Sequence, residues 1–191
     1  EIDSLRSTAT IKKIAEKANT DYTLIYTKPA DLRMGMFALD RMLQIAKDSG
    51  AGLVYADHYQ IANGEKKNSP VISYQKGSLR DDFNFGSVLI YKSENLQAAV
   101  SSMEKEYKFA GLYDLRLKVS QGADLVHINE YLYTEIENDN RKSGEKVFDY
   151  VDPKNRGVQI EMEEACTDHL KKIGGYLAPH FKEINFSATG F

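Results

Sequence analysis

The sequence predicts one α/β domain over residues 1–150, followed by a helical tail over 151–191. Three observations predict it. Two short apolar runs, YTLIY at 22–26 and LVYADHY at 53–59, flank a segment whose apolar residues recur at helical spacing. Strands apolar throughout belong to sheets covered by helices. A length of 191 residues, 42% hydrophobic and 28% charged, suits one continuous core in a globular protein.

Taken in order, residues 4–18 read as a helix with Ile11, Ile14, Ala15 and Ala18 on one face. YTLIY is a buried strand, closed by Lys28-Pro29. Met36, Leu39, Met42, Leu43 and Ala46 mark a second helix that Ser49-Gly50 ends, and 52–59 is a second buried strand. Asn63-Gly64 is a strong turn signal, expected to fold 59–61 back on Val71-Ile72-Ser73-Tyr74 as a hairpin. Residues 85–91 form another apolar strand. Ser93 is a suitable N-cap for the helix carrying Leu96, Ala99, Val100 and Met103. Leu112, Leu115 and Val119 mark a further helix that Gly122 terminates, and 125–133 alternates as a strand. Residues 138–152 are a polar loop. Beyond 155, Val158, Met162, Ala165, Cys166, Leu170 and Ile173 form a stripe that packs back on the domain, with Gly174-Gly175 as terminator.

Composition narrows the partners. A net charge of −3 offers no surplus for nucleic acid or an acidic membrane. The pairs Lys12-Lys13, Lys66-Lys67 and Lys171-Lys172 read as solvated faces. A single cysteine, Cys166, excludes an internal disulfide and a multi-thiolate metal site, and its place on the tail helix reads as a buried structural thiol. No apolar run reaches the roughly 20 residues that span a bilayer, and no secretory signal is visible, so a cytoplasmic location is expected. Glu1 and the loose SATGF at the other end both read as cut edges, with further domains of a longer parent chain as expected neighbours.

Three segments carry a family resemblance: GLVYADHYQI at 52–61, DDFNFGSVLIYKSENL at 81–96 and GLYDLRLKVSQGADLVHINEYLY at 111–133. In order and spacing they resemble the second half of a family-2-like glycosyltransferase of the nucleotide-diphospho-sugar type. With Thr20-Asp21-Tyr22 and the strand after it, the match covers roughly residues 7 to 135. The resemblance implies a GT-A fold: a mixed sheet flanked by helices, incomplete at its amino end because the nucleotide-cradling strand would precede Ser7. It also implies inverting transfer of a sugar from a nucleotide-sugar to a carbohydrate acceptor, in polysaccharide biosynthesis. The ligand would lie at the carboxyl ends of the strands.

Such transfer needs a neutralised diphosphate, by resemblance through Mg or Mn on an Asp-x-Asp, and a carboxylate base for the acceptor hydroxyl. The metal motif belongs directly after Ile25-Tyr26, where the chain has Thr27-Lys28-Pro29-Ala30 and no carboxylate before Asp31. Lys28 is either a fixed cation for the diphosphate or a solvated loop residue. The base position falls on Gly111-Leu112, which cannot accept a proton, while Asp114 reads as a first-turn acid favoured by the helix dipole. Asp57 closes its strand at the cleft edge, with His58 lining the same cleft. Arg80, Asp81 and Asp82 are either ligand groups or a loop ion pair, and the adjacent aspartates point opposite ways. His127 reads as packing, and His169 and His180 belong to the tail.

The candidate substrate-binding set is therefore Lys28, Asp31, Asp57, His58, Arg80, Asp81 and Asp82, with no catalytic assignment and no metal ligands. Two classes stand: a glycosyltransferase, or a catalytically degenerate transferase-like module that binds acceptor or partner within a larger enzyme. An α/β hydrolase fits least, because G-x-S-x-G is absent and no histidine has an evident nucleophile partner.

Overall fold

Ser7 starts the first helix, α1 (Thr8–Lys17), by accepting the Thr10 amide on its hydroxyl at 3.2 Å. A cap of this kind is worth about 1 kcal/mol, and it is why the helix begins at Thr8 rather than at residue 4. The structure, a computed structural model, describes residues 4–136 and 156–181. The expected polar loop at 138–152 lies outside the described residues.

After α1 come β1 (Tyr22–Tyr26), β2 (Asp31–Met34), α2 (Ala38–Ser49), β3 (Leu53–Ala62) and β4 (Glu65–Ser69). Then follow β5 (Val88–Lys92), α3 (Ser93–Ser101), α4 (Gly111–Gly122), β6 (Leu125–Ile136) and α5 (Arg156–Lys172). The strand order is β1-β5-β3-β6-β2, with β4 paired to the outer half of β3. β3 and β6 run parallel; every other pair is antiparallel. The α/β class is as expected, a mixed sheet flanked by helices.

α1, α3 and α4 cover one face of the sheet, packing Ile11, Leu96 and Leu115 on Leu53, Tyr55, Leu89 and Tyr91. α2 covers the other, setting Met42 and Ala46 on Val54, Ala56, Val88, Ile90, Ile128 and Tyr133. Truncating one such fully buried leucine or methionine costs about 2–5 kcal/mol. α5 lies on α4, with Met162, Ala165 and Cys166 against Tyr107, Tyr113 and Leu117. No helix among the described residues is long and apolar enough to cross a membrane.

Several elements differ from expectation for definable reasons. β1 is an edge strand bonded only to β5, so it is half-buried and Leu24 is exposed. α2 buries Ala38, Met42 and Ala46, spaced by four, which leaves Leu39 exposed and Met36 88% exposed before the helix starts. The hairpin forms at Asn63-Gly64, but its returning strand is the polar Glu65–Ser69, with Ile61 opposite Lys66. A two-residue turn with both residues at positive φ returns the chain immediately, so Val71–Tyr74 is too far along to pair. Ser93 is the first helical residue of α3 rather than its cap, and its hydroxyl meets Thr23 Oγ1 at 2.8 Å, joining helix to edge strand. Cys166 is half-buried, whereas His169 is buried and meets Gln121 Nε2 at 2.9 Å. Gly174 takes φ 73° and the Gly175 amide donates to Leu170 O, so the tail helix stops where expected.

Candidate functional site

β1, β3 and β6 end at one edge of the sheet, where β5 begins. The loop residue Lys28 follows β1 there, and its ammonium pairs with Glu135 of β6. Glu135 is fully buried, and its Oε2 also takes the Gln60 amide at 3.4 Å. Its Oε1 faces His58 Nε2 at 3.4 Å. Burial pushes the Glu135 pKa up, but the bond from Lys28 and the nearby positive charge outweigh it, so the net direction is down and the carboxylate is ionised. Burial holds the His58 imidazole below its ordinary value, hence neutral near pH 7, against the pull of Glu135.

Tyr133 closes the cluster. Its ring stacks on His58 with centroids 5.0 Å apart, and its hydroxyl accepts the Ser87 amide at 2.9 Å. Gly86 makes this approach possible: at φ 71° its missing Cβ would collide with Tyr133 Oη. Of the buried polar atoms gathered here, His58 Nδ1 has no hydrogen-bond partner, whereas Glu135 Oε1 keeps its contact with His58 Nε2 and the Ser87 hydroxyl helps hold the Glu135 charge.

Asp57 and His58 do not share a cleft. Successive strand residues point to opposite faces, and Asp57 lies on the side covered by α1, α3 and α4. There it is buried, with Oδ1 accepting the Val71 amide at 2.8 Å and meeting His127 Nε2 at 2.8 Å. His127 is thus more than packing. The expected placing of Asp57 at an open cleft edge is corrected accordingly.

The remaining candidates are dispersed. Arg80 and Asp82 form a two-pronged exposed ion pair at 2.8 and 2.9 Å, the loop-brace alternative. That pair pulls the Asp82 carboxyl below its usual range. The Arg80 carbonyl accepts from Arg116, which is buried beneath Tyr74, Phe85 and Tyr113. Asp81 is exposed beside them. Asp31 opens β2 opposite Ile136, exposed, and is adjacent to Leu32, which pairs with Glu135, but it joins none of the bonds of the cluster described above. Asp114 is the first-turn acid of α4, as expected, and it is buried and bonded to Lys118 Nζ at 2.5 Å.

The donor set at the end of β1 does not fit Mg or Mn. An ammonium stands where ligating carboxylates would be needed, and the adjacent acid, Glu135, is neutralised by it. Reading the sequence residue by residue missed Glu135, Tyr133 and Ser87. A signal for Glu135 was present: it occupies the inward slot of an alternating strand, two residues after Tyr133, where an apolar side chain is the rule.

No family model matches this chain, and no curated protein matches it.

Proposed function

We propose that this chain is a glycosyltransferase-like module of GT-A type that binds a carbohydrate acceptor or partner within a larger enzyme, without itself carrying the transfer chemistry. The observation that carries this reading is the Lys28–Glu135 pair. If the resemblance holds, Lys28 stands where the diphosphate-neutralising motif belongs, and its charge is already spent on a buried acid. Drawing it away to a phosphate would leave Glu135 ionised and unpaired in the interior, at a cost of several kcal/mol.

Gly111 adds support. At the position expected for the base, a Cβ would lie 2.5 Å from Thr8 N and 2.6 Å from Ser7 C, so the start of α1 occupies the room a carboxylate would need. The same reading puts the module in the cytoplasm, in polysaccharide biosynthesis.

The second reading is active inverting transfer from a nucleotide-sugar, with Lys28 as the fixed cation. It is favoured by Lys28 being 37% exposed at the strand edge, within reach of an anion. Calorimetric titration separates the two. Heat with acceptor oligosaccharides but none with nucleotide-sugars, with or without manganese, is the result expected. Release of nucleoside diphosphate when donor and acceptor are mixed would replace the first reading with the second. Silence in every titration would sink both as carbohydrate readings.

A further inference from the structure

Ser73, His127 and Asp57 form a hydrogen-bonded line on the face opposite the Lys28–Glu135 cluster. Ser73 Oγ lies 3.2 Å from His127 Nδ1, and His127 Nε2 lies 2.8 Å from Asp57 Oδ1. A carboxylate only accepts, so the proton of the neutral imidazole belongs on Nε2, facing Asp57. Nδ1 then presents its lone pair to Ser73, whose hydroxyl is the donor. That polarity is the one a base-activated nucleophile requires.

Position and exposure agree with it. Asp57 is buried, His127 is nearly so, and Ser73 is exposed, so the line runs from the interior to solvent. The backbone on both sides of Ser73 is held. Tyr55 Oη donates to Ile72 O at 2.9 Å and accepts the Tyr74 amide at 2.6 Å, while the Val71 amide is bound by Asp57 itself. The Tyr55 ring also stacks on the His127 imidazole, 5.3 Å between centroids and 16° from parallel, which fixes the plane of the base. Nucleophile, base and orienting acid are each restrained by groups other than one another, as preorganised catalysis needs.

We propose that Ser73 is a nucleophile activated by His127, with Asp57 as its positioning residue, and that the site accepts small acyl esters. Ser73 Oγ attacks the ester carbonyl carbon as its proton passes to His127 Nδ1. The tetrahedral adduct then expels the alcohol, which leaves with that proton, and the acyl group stays on Ser73. Water adds to the acyl carbon through the same base, the acid departs, and the proton returns to Ser73 Oγ. The proposal is independent of the carbohydrate reading, since it uses different residues on the other face of the sheet.

The test is labelling of the chain with a fluorophosphonate probe, located by peptide mass spectrometry, alongside turnover of p-nitrophenyl acetate. An adduct on Ser73 is expected, absent in Ser73→Ala, which is exposed and leaves the fold intact. His127→Gln should slow labelling about a hundredfold. Asp57→Asn can keep both bonds on its amide oxygen but removes the negative charge that stabilises the protonated imidazole, so kcat should fall while KM and the melting temperature hold. No adduct on Ser73 in the wild-type chain overturns the proposal, whatever the variants do. An adduct that forms equally fast in a folded His127→Gln also overturns it.

Discussion

Lys28 and Glu135 lie 107 residues apart in the chain and form an ion pair at the carboxyl edge of the sheet, the acid fully buried and the base one-third exposed. The pair is asymmetric in consequence. Glu135 depends on Lys28 for its charge compensation, whereas the Lys28 ammonium keeps partial contact with water.

Replacing Lys28 alone therefore leaves an uncompensated interior carboxylate. Lys28→Met should lower stability by about 2–4 kcal/mol, toward the lower end because the lost partner is partly solvated. Urea denaturation measures this. The double variant Lys28→Met, Glu135→Leu should regain most of the loss, and a double variant as weak as the single one would contradict the account.

Stability should decline in two stages as the solution is acidified. Burial depresses His58 and His169 below their ordinary 6.5, so the unfolded chain takes up those protons first. Their contribution is complete above that value and is lost as pH falls through the folded values. Glu135, held below its ordinary 4.5, adds a second loss beneath that pH. Asp114, raised by burial, works in the opposite sense: its contribution is present at low pH and lost as pH rises through its folded value. Urea midpoints at pH 7.5, 5.5 and 4.0 should fall in that order. A flat midpoint between the first two would argue against buried, neutral histidines.

Gly86→Ala introduces a Cβ at φ 71° that collides with Tyr133 Oη. Left-handed strain and disturbance of the Ser87 amide bond together should cost about 2–4 kcal/mol. Tyr133→Phe, which deletes only the acceptor of the Ser87 and Val88 amides, should cost about 1–3 kcal/mol. Thermal melts of the two variants check both, and a neutral Gly86→Ala would show that the close approach does not matter.

Asp57→Ala frees the Val71 amide and the His127 ring, and with them one end of the connection from β4 to β5. A loss of about 1–3 kcal/mol is expected, with faster proteolytic cleavage between residues 70 and 86. Protection equal to wild type in that segment would mean Asp57 is not its anchor.

Much of the architecture was readable in advance because it is written in local periods. The spacing of Ile11, Ile14 and Ala15 marked α1, and Asn63-Gly64 marked a tight hairpin. Errors arose where a neighbouring strand decides. Leu24 looked interior because nothing local says that β1 is an edge. Val71–Tyr74 looked like the better hairpin partner because it is apolar, yet the turn length brought back Glu65–Ser69. Of the candidate site, Lys28 and His58 do converge, but on Glu135, which local pattern alone did not select. Arg80 and Asp82 pair with each other.

The sequence by itself determined the α/β class, most helix and strand positions and the termination of the tail helix, since these follow from propensities and periods within a few residues. Only the tertiary structure decided which polar groups meet. Strand register places Asp57 against His127 on one face, where the loop residue Ser73 meets that histidine, and His58 against Tyr133 and Glu135 on the other. The physical reason is the two-residue period of a strand: adjacent side chains diverge to opposite faces, and their partners come from chains brought alongside by long-range pairing.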